Sequence, residues 1–171
     1  KQKTAYEIGV RLVGSEMCIR DRSTTGNNAI VDWVAVELRD ATTPTTVLAT
    51  RSALIQRDGD IVKANGTANL DFGVGAGSYY VVVRHRNHLG VMSAAPISLS
   101  ATAVTVDFRS GTTVTYGTNA HKTVGTQRAL FAGNVMRDDR LKYAGSSNDR
   151  DPILTTVGGS TPTNTRVQQL P

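Results

Sequence analysis

Between Ile30 and Phe108 the apolar residues of this chain recur at every second position in short bursts, and a period of two admits β-strands and little else. "AIVDWVAVELRD" sets Ile30, Asp32, Val34, Val36 and Leu38 against Val31, Trp33, Ala35, Glu37 and Arg39, the pattern of a strand partly covered on both faces. "TVLATRSALIQ" follows after the loop "ATTPTT". "RDGD" is a turn, because Asp-Gly supplies the positive φ of a tight reversal. "NLDFGV" and "SYYVVVRHR", joined by "GAG", then "APISLSA" and "VTVDFRS", complete six short strands at intervals of roughly ten residues. Such spacing, rich in β-branched residues and without helical period, predicts an all-β fold built as a β-sandwich. The predicted core is Trp33, Val34, Val36, Leu38, Leu54, Phe72, Tyr80, Val82, Ile97, Leu99, Val106 and Phe108.

The first residues do not continue this pattern. In "KQKTAYEIGVRLVGSEMCIRDR" the apolar positions Ile8, Val10, Leu12 and Val13 are broken by Gly9, Arg11 and Gly14, so neither a signal-peptide core nor a good helix results. Read back through the genetic code, "KQKTAYEI" and "LVGSEMCIRDR" resemble the two constant parts of a translated sequencing-library adapter, separated by the length of a sample index. Residues 1–22 are therefore expected to be a non-native, disordered leader. The expected consequence is a fragment, with its natural N-terminus upstream and Pro171 a second break.

Setting the leader aside changes the charge argument. It holds Lys1, Lys3, Arg11, Arg20 and Arg22 against Glu7, Glu16 and Asp21, so two of the five net positive charges belong to it. The remainder is mildly basic and has no basic face interleaved with aromatics, which argues against nucleic acid as a partner. Cys18, the only cysteine, also lies in the leader, leaving no disulfide framework or thiolate metal site. No apolar run approaches the length of a transmembrane helix, so no membrane insertion is expected.

"GAGSYYVVVRHRN" resembles the Gly-fed central strand of transthyretin-like and Ig-like sandwich modules. The order "VDWVAVELRD", "ALIQRDGDIV", "GSYYVVVRHRNHLGVMSAAPISLS" resembles more closely a segment of large surface proteins of Bacteroidota, exported by the type IX route and described as adhesin-like. The resemblance implies an extracellular or cell-surface module. Neighbouring domains of the same polypeptide, a glycan or another surface protein would be its partners. The linear organisation expected is a leader over 1–22, a sandwich over 23–110, a linker or edge segment over 111–130, a dockerin-like loop and short helix over 131–160, and a tail over 161–171.

Ligand chemistry concentrates in "GNVMRDDRLKYAGSSNDRDPIL", which resembles the dockerin-like calcium loop of those surface proteins. Calcium takes six to eight hard oxygens from alternate loop residues, a carbonyl and late carboxylates. The resemblance assigns Asn134, Asp138, the carbonyl of Arg140, and Asp149 and Asp151 as ligands. Three departures weaken the expected site. Asn134 is neutral where Asp is usual, Met136 offers no oxygen, and Asp139 replaces the glycine that gives the turn its positive φ. The competing expectation is that Arg137, Arg140 or Arg150 serves as an internal cation among the carboxylates. Asn148 or Asp149 is a plausible N-cap for a helix over about Asp151 to Val157, with Pro152 in its first turn and Gly158 at its stop.

"RHRNH" raises a metal or acid–base reading of His85 and His88. On a strand, residues three apart face opposite ways, so the rings meet only if the strand has already ended. The expected role is a polar strand end, basic enough to contact an acidic glycan or a neighbouring domain. No Ser-His-Asp order, G-x-S-x-G elbow, H-E-x-x-H helix or phosphate loop is present, and "GVGAGS" joins strands rather than opening a helix. The chain is therefore expected not to be an enzyme. Two function classes follow: a non-catalytic structural or adhesive module with a weak calcium site, or an accessory, carbohydrate-binding-like module of a secreted hydrolase. Exposed coplanar aromatics would favour the second, and with Trp33 in a strand expected to be buried, the first leads.

Overall fold

The computed structural model describes residues 24–66 and 69–159, with Thr163 and Thr165. The expectations for the leader and for most of the tail lie outside the described residues. What is described is mostly strand in antiparallel sheets, with one short helix, as an all-β fold requires. The strands are β1 (Ile30–Asp40), β2 (Val47–Gln56), β3 (Ile61–Val62), β4 (Gly77–Arg84), β5 (Val91–Met92), β6 (Ile97–Leu99), β7 (Lys122–Val124) and β8 (Gln127–Ala129). The helix, α1, spans Arg150–Gly158. The chain divides into two compact units, one of residues 24–83 with Pro96–Thr105, the other of Arg84–Ala95 with residues 106–159.

The first unit is built on the order β3-β2-β1-β4, with β6 on β4. β1 and β2 pair antiparallel with Val34 opposite Ala53 and Trp33 opposite Leu54, and the register shifts near each end of β1. Asp40 shapes the connecting loop by accepting from the N–H groups of Thr42 (2.9 Å) and Thr43 (2.7 Å). "RDGD" turns as expected, with Gly59 at φ 95° and its N–H on the Gln56 carbonyl.

Val34, Val36 and Leu38 form the buried face of β1, shared by Ala53 opposite Val34, while Leu54, opposite Trp33, and Val62, opposite Leu54, are buried on the other face, and Val81, Val82 and Val83 are buried along β4. Complete burial of such side chains contributes about 1.5–3 kcal/mol each. Of the other predicted core residues, Phe72, Tyr80, Ile97, Leu99, Val106 and Phe108 are half-buried. Trp33 is 45% exposed, a correction to the sequence-based expectation. It alternates with Val34 and so takes the opposite face of β1, which it shares with its cross-strand partner Leu54 and with Glu37, whose carboxylate pairs with Arg39 at 2.7 Å.

Two expected strands do not form. In "NLDFGV", Asn69 and Gly73 have positive φ, the Gly73 N–H bonds the Asp71 carboxylate, and the Arg51 guanidinium takes the Asp71 and Phe72 carbonyls. Those carbonyls would otherwise accept from a neighbouring strand. In "VTVDFRS", Asp107 accepts from the N–H groups of Arg109 and Ser110 and bends the chain.

The second unit is held differently. Its paired segments are short: Ser93 bridges Thr115, His88 bridges Ala132, and β7 and β8 form a hairpin within the stretch expected to be a linker. Apart from Val91, its buried side chains are polar: Ser93, Thr115, Asn134, Asn148 and Asp149.

Candidate functional site

The loop from Gly133 to α1 is folded by its own polar side chains. Gly133, at φ 103°, donates its N–H to the Asn87 carbonyl and turns the chain into Asn134. Asn134 is 3% exposed; its Nδ2 donates to the Asp138 carbonyl at 2.7 Å and closes the first turn. Its Oδ1 is buried and has no hydrogen-bond partner. The left-handed residue here is Arg137, at φ 58°. Asp138 accepts the Arg140 N–H at 3.0 Å.

Asp149 closes the loop from the far end. Its Oδ1 accepts from the Met136 N–H (3.1 Å) and its Oδ2 from the Lys142 N–H (2.8 Å). Its own N–H returns a bond to the Lys142 carbonyl at 2.8 Å. The Lys142 N–H, then that of Met136, hold this carboxyl below the usual carboxylate range. The resulting anion is 5% exposed and ties two backbone segments together.

Asp151 belongs to the helix start. Its Oδ2 accepts from Asn148 Nδ2 at 2.7 Å, while its backbone N–H donates to Asn148 Oδ1 at 2.9 Å. That reciprocal pair makes Asn148 the working cap, since Asp149 already has helical dihedrals and no capping bond of its own. The Asn148 amide, then the Arg150 guanidinium, lower the Asp151 pKa. Arg150 lies 3.2 Å from Asp151 and over the Tyr143 ring, but half-exposed, where such a pair contributes little. Gly158 is the last helical residue and Gly159, at φ 77°, ends α1.

Of the expected ligands, then, Asn134, Asp138 and Asp149 are tied into one loop, and Arg140 enters it through its N–H to Asp138. Asp151 is engaged at the cap. Among the described residues no three of His, Cys, Asp and Glu meet in a group able to hold a metal ion. Sequence reasoning missed the part of Lys142, because backbone groups carry no residue signature. The condition set for His85 and His88 to meet, that the strand has already ended, is fulfilled, because β4 ends at Arg84 and the two rings touch beyond it. No helix among the described residues is long and apolar enough to cross a membrane. Comparison with known protein families, curated proteins and solved structures finds no match.

Proposed function

We propose that this chain is a non-catalytic structural or adhesive module of a secreted, Bacteroidota-type cell-surface protein, with a weak calcium site in the 134–151 loop. The observation that carries this reading is the use of the buried polar groups of the second unit. Asn134, Asn148 and Asp149 all point inward and hold backbone, and a carboxylate with both oxygens on backbone N–H groups is poorly placed to act as a base. An Ig-like or transthyretin-like sandwich is part of the same reading. Val81, Val82 and Val83 are buried in succession, and successive strand residues point to opposite faces, so β4 needs cover on both.

For calcium, the fit rests on the orphaned, buried Oδ1 of Asn134, an acceptor that a hard cation would satisfy. Asn134, the Asp138 and Asp149 carboxylates and the Arg140 carbonyl would hold the ion, and Asp151 would join only by releasing Asn148 or Arg150. With so few anionic oxygens, binding belongs in the range of about 10⁻⁴–10⁻³ M. Calorimetric titration tests this. Heat and a raised melting temperature at millimolar calcium, both enhanced in Asn134→Asp, are expected; no heat and no thermal shift would end the calcium reading.

Trp33 favours a second reading, an accessory carbohydrate-binding-like module, because an aromatic ring of the kind on which sugars stack is 45% exposed on β1. Quenching of its fluorescence by soluble polysaccharide, abolished in Trp33→Ala, would support that reading over the first.

A further inference from the structure

We infer that His85 and His88 form a binding site for a divalent transition cation of tetragonal preference, copper(II) or nickel(II). The two Nδ1 atoms lie 2.7 Å apart, with ring centroids at 4.5 Å and ring planes at 74°. At that contact one Nδ1 carries a proton and the other accepts it. With both rings carrying their proton on Nε2 instead, each Nδ1 presents a lone pair toward the space the shared proton occupies, and a metal ion takes that proton's place with no net proton release from neutral rings. Asn87 Oδ1, 3.2 Å from His88 Nδ1, is a third donor.

Distance sets the choice of metal. Donors 2.7 Å apart, each about 2.05 Å from an ion, subtend roughly 80° at it. That is a cis angle of square-planar or octahedral coordination, whereas a tetrahedral zinc ion needs its nitrogens about 3.3 Å apart. The turn is also held in place before any ion arrives. Leu89 donates to the Phe131 carbonyl, Gly133 donates to the Asn87 carbonyl, and His88 bridges Ala132. Such anchoring spares the ordering cost of assembling the ligands. Two imidazoles and one amide oxygen make a sparse donor set, so micromolar rather than tighter binding is expected.

The full chain has three histidines, which makes ring-proton NMR decisive. Substoichiometric copper(II) is expected to broaden the His85 and His88 ring signals while those of His121 persist; uniform broadening, or His121 responding first, would overturn the site. Either His85→Ala or His88→Ala should weaken copper(II) binding by at least about tenfold. His121→Ala, and Cys18→Ser, which removes the one competing thiol, should leave it intact. Loss of binding in Cys18→Ser would also overturn the proposal. Nickel(II) should bind more tightly than zinc(II), and the reverse order would refute the cis geometry. Should the alanine variants fail to fold, the wild-type NMR still decides.

Discussion

Asp149 is one carboxylate doing the work that a strand neighbour does elsewhere, accepting backbone N–H groups from Met136 and Lys142. Its pKa is lowered in the folded chain by those N–H groups. A group with a depressed folded pKa stabilises the fold above its unfolded pKa, about 3.9, and that contribution is lost as pH falls through the folded value. Hydrogen exchange of the Met136 and Lys142 amides, corrected for intrinsic rates, is therefore expected to stay slow at neutral pH and to accelerate only below about pH 4. Asp149→Asn should produce the same acceleration at pH 7. Exchange at these amides that ignored both acid and the substitution would remove Asp149 from this role.

Elements differ in what defines them. α1 starts where Asn148 and Asp151 exchange hydrogen bonds, so Asn148→Ala should cost about 0.5–2 kcal/mol and reduce the small helical component of the circular dichroism. An unchanged spectrum and unchanged melting would show that Asn148 does not cap the helix. β1 is defined by its apolar face, and Leu38 is only 1% exposed. Leu38→Ala should destabilise by about 2–5 kcal/mol in chemical denaturation, through lost burial and a residual cavity. β1, β2, β4 and β6 were legible because β-branched residues alternate between turn residues. Residues 69–74 and 104–110 carry the same composition, but Asp71, Asp107 and Arg51 compete for their backbone groups. That competition depends on where the side chains lie, which a period cannot report.

At the scale of the whole molecule the two units rely on different forces. The buried apolar residues, Val91 excepted, fall in the first unit, and the buried polar residues fall in the second. Apolar burial contributes without directional demands, whereas each buried hydrogen bond nets only about 0.5–1.5 kcal/mol and fails if its geometry slips. Amides of β1, β2 and β4 should therefore exchange most slowly, and those of residues 134–149 markedly faster under native conditions. Equal protection in both would mean that the polar unit holds a stabilising term not visible in its hydrogen bonds.

The sequence by itself determined the all-β class, the "RDGD" turn, the central strands and the position of the short helix. It could do so because a period of two, Asp-Gly chemistry and cap residues act within a few residues of chain. It also marked 134–151 as the place where polar chemistry concentrates. Only the tertiary structure decided which face of β1 is inside. Apolar residues occupy both faces of "IVDWVAVEL", and the choice between Val34 and Trp33 depends on what packs against the sheet. Only tertiary structure turned Asp149 inward onto Met136 and Lys142, left the Asn134 oxygen without a partner, and brought His85 and His88 together beyond the end of β4. Each of these depends on chain segments meeting in space, and the spacing of residues along one segment carries no information about the other.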